Sequence, residues 1–209
     1  HSKISFLDLA RLIPSLQGMN QLIDCSGEIS GTINDLKGRN LILNTGNNTS
    51  AEFDFYANGI SNPEDMYLFI DLKRSQTTFS DLSQIRLPAG NGIRFLRFPE
   101  PFYDAGILTY EGNFTGFLND FVAFGKLTSE MGNITTDLSM VPDEVGRINY
   151  QGKIATDNFR LGNLFQMPAV GELTFDGSVD GFFDRSDQTV AGAFDGEIAR
   201  VDINGYDYE

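Results

Sequence analysis

The chain has 209 residues, 41% of them hydrophobic, with a formal net charge of −14 and a sequence pI of about 4.3. That hydrophobic content excludes a disordered chain. The acidic balance excludes the basic footprint that nucleic-acid phosphates need, and charge-driven adhesion to an anionic membrane surface.

Taken in order, the chain opens His1-Ser2-Lys3, without methionine or a signal peptide. No apolar run reaches membrane-spanning length, and the whole reads as a segment of a longer protein. Ser5 to Gly18 is the best helical stretch: Phe6, Leu9, Leu12 and Ile13 share a face, Pro14 interrupts and Gly18 stops it. Strand and turn material then runs from Ile23 to Ile60. Cys25, the only cysteine, is in phase with Ile23, Gly27 and Ile29 and reads as a buried, inert thiol. Met66 to Leu72 alternates, and Ser80 to Pro88 reads as a second short helix. Ala89 to Asp104 reads as a connection around one strand, Ile93 to Phe98.

The stretch Tyr110 to Met140 is the clearest in the chain. Tyr110, Gly112, Phe114, Gly116 and Leu118 point one way, with Glu111, Asn113 and Thr115 opposite. Ile134, Thr136, Leu138 and Met140 alternate in the same manner. A period of two means a half-buried strand. Reversals are expected at Asn119-Asp120 and Gly132-Asn133. Further strands follow near 147–156, 171–183, 190–198 and 199–206. With no βαβ spacing, the sheet is expected to be mainly antiparallel.

The chain repeats itself. Gly27, Gly31, Asp35 and Leu36 recur as Gly112, Gly116, Asp120 and Phe121, and a weaker copy starts at Tyr150. Asp8-Leu9, Leu12 and Pro14 are echoed by Asp81-Leu82, Ile85 and Pro88. The expected units are 5–60, 80–141 and 147–209, within one β-rich segment.

Gly27, Gly31, Gly112, Gly116, Gly177, Gly181, Gly192 and Gly196 fall on the apolar faces, in pairs that bracket Ile29, Phe114, Val179 or Phe194. In-strand glycine marks a bend, a bulge or a close approach. Two readings stay open: tight coiling of the sheet over a side-chain core, or space left along an apolar trough that suits acyl chains. Two short helices cannot cover a dozen strands, so the sheet closes as a sandwich or barrel, or curls into a gutter. The residues expected to line an apolar groove are Ile29, Ile33, Phe53, Phe55, Phe114, Leu118, Ile134, Leu138, Ile154, Phe175, Val179 and Phe194.

The order Gly-x-x-x-Gly-x-x-x-Asp-Leu/Phe, then Gly-Asn-x-Thr and an alternating strand, resembles the TamB-like translocation and assembly module family. These are AsmA-like relatives of the Gram-negative envelope, here of the Bacteroides type. Residues 110–121 and the ending Ile203-Asn204-Gly205-Tyr206-Asp207-Tyr208 carry most of the likeness, which covers about 20–206. Thr156 departs from it, standing where the third copy should have its second glycine. The resemblance implies a periplasmic segment of a long protein anchored in the inner membrane, with a taco-like sheet around a hydrophobic groove. It implies phospholipid acyl chains as partners, outer-membrane assembly proteins as further ones, and no catalytic residues.

The residues themselves carry no nucleophile elbow, P-loop or dinucleotide fingerprint. With one histidine, at the terminus, histidine triads and histidine metal sites are excluded. Asp184–Asp187 and Asp202–Gly205 do not fit the EF-hand spacing and read as solvated turns. No cofactor or metal is expected. Two functions remain: a non-enzymatic groove segment for lipid transport or outer-membrane assembly, and a closed β-sandwich binding or adhesion module for carbohydrate or protein. Zero tryptophan weighs against sugar stacking.

Overall fold

The structure, a computed structural model, describes the chain except residues 1, 6–21, 33, 63–64, 90–91, 118, 144–146, 166, 168, 185–188 and 209. Its main body is one antiparallel sheet of twelve strands among the described residues. The strands are β1 Ser2–Ser5, β2 Leu22–Thr32, β3 Asp35–Thr45, β4 Thr49–Asn58, β5 Tyr67–Thr77, β8 Leu108–Phe117, β9 Phe121–Ser129, β10 Gly132–Pro142, β11 Ile148–Arg160, β12 Val170–Asp184, β13 Thr189–Ile203 and β14 Tyr206–Tyr208. Each pairs with its predecessor and successor along the chain, apart from the excursion between β5 and β8. That excursion holds helix α1 (Phe79–Ser83), a separate hairpin of β6 (Arg86–Ala89) and β7 (Gly92–Phe95), and a 3-10 helix (Glu100–Ala105). A second five-residue helix, α2 (Leu161–Phe165), joins β11 to β12.

The helix expected over 5–18 lies outside the described residues except for Ser5, which ends β1 and is extended, paired with Leu22; Ile33 and Leu118 also lie outside. The helix expected over 80–88 is shorter: it spans Phe79–Ser83, and 86–89 is extended. Thr78 caps α1, its hydroxyl accepting the Asp81 N–H at 3.1 Å. The strand expected at 93–98 is Gly92–Phe95. The turn expected at Gly132-Asn133 sits two residues earlier, at Glu130-Met131, and Gly132 already pairs with Ser129. Ser129 explains the shift. Its hydroxyl accepts the Met131 N–H and donates to the Gly132 carbonyl, both at 3.1 Å, and so closes the reversal locally. The two strands expected at 190–198 and 199–206 are one strand, β13, with a register irregularity opposite Thr174/Phe175.

The sheet is open, with β1 at one edge and β14 at the other. It is also curled. A flat single layer would expose both faces equally, but in β3, β8, β9 and β11 the apolar face is half-buried while most alternate residues on the other face are exposed. Register irregularities in the β2–β3, β3–β4, β4–β5, β5–β8, β11–β12 and β12–β13 ladders bend it. Glycine permits the tightest approaches. Gly31 (φ 113°) and Gly116 (φ 139°) occupy the left-handed half of backbone space. A Cβ on either would strike the carbonyl oxygen of Asp35 or Asp120, and on Gly116 it would lie 2.7 Å from the Phe121 Cα. The repeated residues thus make the same backbone contact in both copies.

Openness also shows in the area. The chain exposes 13345 Å², against about 9,700 Å² for a compact monomer of its mass. No large side chain among the described residues is fully buried. The densest packing is a cluster of Ala105, Leu108, Met131 and Phe159, with Phe79, Leu82, Leu127, Ile134 and Leu161 against it. Phe79 meets Phe98 and Phe102 edge-on, at 4.8 and 5.0 Å between ring centres. This cluster and the short helices lie along one margin of the apolar face, where β5, β8, β9, β10 and β11 start or end.

Candidate functional site

Register defines the site. In an antiparallel ladder, paired residues project from the same face. Following the pairs from β2 to β13 gives one unbroken row: Ile29, Gly38, Phe55, Ile70, Phe114, Ala123, Leu138, Gly152, Val179, Phe194. On one side of it runs Gly31, Leu36, Ala57, Leu68, Gly116, Phe121, Met140, Tyr150, Gly181, Gly192. On the other side runs Leu41, Phe53, Leu72, Gly112, Gly125, Thr136, Ile154, Gly177, Gly196. A fourth row contains Cys25, Leu43, Ala51, Ser75, Tyr110, Leu127, Ile134, Thr156, Phe175 and Ile198. No Asp, Glu, Lys or Arg stands in these four rows. The strip measures about 43 Å across the ladder and about 20 Å along the strands, from strand spacing and rise.

The opposite face is different. The row behind Phe114 reads Asp54, Asp71, Asn113, Phe124, Asp137, Lys153, Ser178, Asp195. Lys73 Nζ bonds Asp54 Oδ2 at 2.9 Å, and the Asn40 N–H donates to Oδ1 at 2.6 Å. Together these hold the Asp54 carboxyl below the usual carboxylate range. Hollows on this face are lined by Asp71, Lys73, Glu111 and Lys126, which suits water and ions rather than hydrocarbon. A larger hollow of about 450 Å³ at the β3–β4 turn is lined by polar groups such as Asp24, Asn44, Asn47 and Gln76. The outer face also carries apolar groups that alternation did not single out. Tyr67 lies edge-on to Phe117 at 5.7 Å, with Phe69, Val122 and Phe124 exposed nearby.

Ten of the twelve expected lining residues belong to the four apolar rows, the other two being Ile33 and Leu118. Their exposure is graded. Val179 is 7% exposed, Phe53, Phe55, Phe114, Leu138, Ile154 and Phe175 are half-buried, and Ile29 and Phe194 at the two sides reach 57% and 72%. Ile134 packs on the marginal cluster rather than in the open strip. Phe114 meets Phe121 at 4.7 Å between ring centres.

Of the two readings of the glycines, coiling and close approach is the one the contacts bear out; they do not leave gaps. Three cross-strand pairs, Gly112 with Gly125, Gly177 with Gly196 and Gly181 with Gly192, put two glycines side by side. An aromatic ring lies over each: Tyr110 diagonally over Gly125, Phe175 over Gly177 of its own strand and diagonally over Gly196, and Tyr150 along its own row over Gly181 and Gly192. A Cβ on Gly196 would sit 2.9 Å from the Phe175 ring, and one on Gly181 2.6 Å from the Tyr150 ring. The floor is therefore paved with flat rings, the device by which aromatic residues stabilise strand glycines. The two tyrosine hydroxyls turn away to backbone carbonyls, Tyr110 to Phe124 at 3.4 Å and Tyr150 to Ala191 at 3.2 Å. Partial burial pushes the Tyr110 phenol pKa up. Leu41, Ile70, Leu72, Phe121, Tyr110 and Tyr150 were missing from the expected lining. Cross-strand pairing selects them, and a single sequence does not state its register.

Asp81, which the sequence marks only as part of the Asp-Leu echo between the short helices, has contacts that the echo does not disclose. It is 8% exposed, and its Oδ2 accepts the Asn48 N–H at 2.7 Å and the Thr49 hydroxyl at 2.9 Å. Thr49 in turn bonds Thr77 at 2.8 Å. Asp81 thus ties α1 to the β3–β4 turn, a structural clamp. Among the described residues no group of three metal-ligating side chains occurs, and no helix is long and apolar enough to cross a membrane. Comparison with protein-family models, curated proteins and solved structures finds no match.

Proposed function

We propose that this chain is a non-enzymatic segment that holds phospholipid acyl chains against its apolar face. On this reading it belongs to a longer, inner-membrane-anchored periplasmic protein that supports lipid transport to, or protein assembly in, the outer membrane. The compartment and the larger pathway rest on the resemblance to the TamB-like family. The acyl-chain site rests on one observation, the four uncharged rows that cross ten strands.

Several features support it. Soluble monomers rarely leave a contiguous apolar surface of more than a few hundred Å² uncovered. An acyl chain spans about half of the ~30 Å hydrocarbon core of a bilayer, so the strip is long enough to take whole chains side by side. Hydrocarbon makes no hydrogen bonds, and the hydroxyls of Tyr110 and Tyr150 already have backbone partners. Phe114, Phe121, Ile70 and Leu138 offer contact, and the covered glycine pairs keep the floor shallow enough for chains to slide. Each Å² of hydrocarbon covered stabilises the bound state by about 25 cal/mol. That small increment, spread along the strip, favours movement over one deep minimum.

The test is native mass spectrometry with lipid extraction, on protein expressed in a Gram-negative host and purified without detergent. Phospholipid adducts that disappear in Phe114→Asp support the proposal. Lipid-free protein whose apolar face also takes up no added phospholipid from vesicles sinks it, and a binding module for another ligand becomes the better reading.

A further inference from the structure

We infer that Thr136 selects among the lipids that the apolar face takes: its hydroxyl donates to the carbonyl of an acyl ester, so ester-linked glycerolipids are preferred over ether-linked ones. The inference rests on the acyl-chain reading of the strip. It adds a part of the ligand that hydrocarbon contact alone does not specify.

The apolar rows carry hydroxyls on Ser75, Tyr110, Thr136, Tyr150 and Thr156. All but one donate to backbone carbonyls. Ser75 bonds Tyr110 at 2.8 Å, Tyr110 bonds Phe124 at 3.4 Å, Tyr150 bonds Ala191 at 3.2 Å and Thr156 bonds Leu173 at 3.1 Å. Thr136 has no hydrogen-bond partner among the described residues. It lies on β10 between Gly125 of β9 and Ile154 of β11, with Ile134 and Leu138 two residues away on the same face. It is half-buried, so water reaches its hydroxyl in the free protein. Hydrocarbon laid over it would remove that water and leave the hydroxyl unpaired, which penalises a purely apolar ligand at this point.

An acceptor joined to the hydrocarbon relieves the penalty, and it has to be neutral. With no Asp, Glu, Lys or Arg in the rows, a phosphate or free carboxylate over Thr136 would be a covered anion without a cation. An ester carbonyl is neutral and brings no N–H of its own, as an amide would. An ether link lacks the carbonyl. The position also suits the chains. Strand β10 stands three strand spacings from β5 on one side and three from β13 on the other. That is about 14 Å each way, close to the ~15 Å of one acyl chain, so a chain leaving Thr136 in either direction stays on the apolar rows.

The test is a competition between two phosphatidylcholines that differ only in ester or ether links, offered as an equimolar mixture in vesicles to the 209-residue protein, with adducts counted by native mass spectrometry. Wild type is expected to take the ester lipid in about twofold to tenfold excess, the effect of one hydrogen bond. Thr136→Val keeps the β-branched shape and strand-forming character but removes the hydroxyl. It is expected to abolish the preference while melting no lower than wild type. Thr136→Ser, which keeps the hydroxyl, is expected to keep most of the preference, and Thr109→Val on the opposite face to leave it unchanged. Equal uptake of the two lipids by wild type overturns the inference and leaves the acyl-chain reading standing, as does a preference that survives in Thr136→Val. Absence of both adducts overturns the acyl-chain reading, and this inference with it.

Discussion

Replacing Phe114 by aspartate asks the sheet which of its faces is apolar. Phe114 sits mid-row, paired with Ile70 and Ala123, with its ring 4.7 Å from that of Phe121. Fully burying a phenylalanine is worth about 1.5–3 kcal/mol, so a half-buried one forfeits about 1–2 kcal/mol. The new carboxylate has no cation in the four surrounding rows. A rise of one to two units in its pKa adds about 1.4–2.8 kcal/mol at neutral pH. The expected destabilisation at pH 7 is about 3 kcal/mol by urea unfolding. Its pH dependence has a definite sign. The folded-state pKa is raised, so the ionic part of the penalty is full above that value. It shrinks as pH falls toward the ordinary aspartate value of about 3.9, leaving the lost ring contacts. Thr109→Asp, on the exposed face of the same strand between Gln76 and Thr128, is the control, expected within about 0.5 kcal/mol of wild type. Equal unfolding midpoints for the two variants would mean that Phe114 faces water and that the rows are assigned to the wrong side.

Gly116→Val is expected to cost more than about 2 kcal/mol in thermal or urea melts. Its Cβ meets the Asp120 carbonyl and the Phe121 Cα at a φ of 139°. Asp81→Ala strands the Asn48 N–H and leaves the Thr49 hydroxyl only its Thr77 partner, and about 1–3 kcal/mol of stability should go with it; amide exchange at the β3–β4 turn should rise first. The Asp54 carboxyl, held by Lys73 and the Asn40 N–H, is expected to titrate below the usual range by carboxyl NMR, and to move up in Lys73→Met. Because its folded-state pKa is lowered, its small contribution is present above the ordinary carboxylate range and fades as pH falls through the depressed value.

What the sequence disclosed depended on scale. Strict alternation over Tyr110–Phe117 and Gly132–Met140 marked two strands and the side each buries, because a period of two is a property of one strand alone. The Gly27/Gly31 and Gly112/Gly116 correspondence was also legible, since both copies solve the same backbone approach with the same residue. Phe175 over the Gly177–Gly196 pair was not. That contact joins neighbouring strands and exists only once register is set. The helices were misjudged for a related reason. Ser80–Pro88 has helical spacing, but β6 and β7 recruit Arg86–Ala89 into a hairpin. The helix over Leu161–Phe165 is too short to show a periodicity. Asp81 stood out only as part of the Asp-Leu echo between the short helices, and its partners Asn48 and Thr49 lie over thirty residues earlier in the chain.

Site-specific photo-cross-linking tests the central claim most directly. A photoreactive phenylalanine analogue would replace Ile70, Leu138 or Phe194 on the apolar rows, or Thr109, Asn113 or Gln151 on the other face. Each variant would be irradiated with phospholipid vesicles and analysed for lipid adducts by mass. The account predicts adducts from the first three positions and background from the others. Adducts spread evenly over both faces, or confined to the polar one, would contradict it.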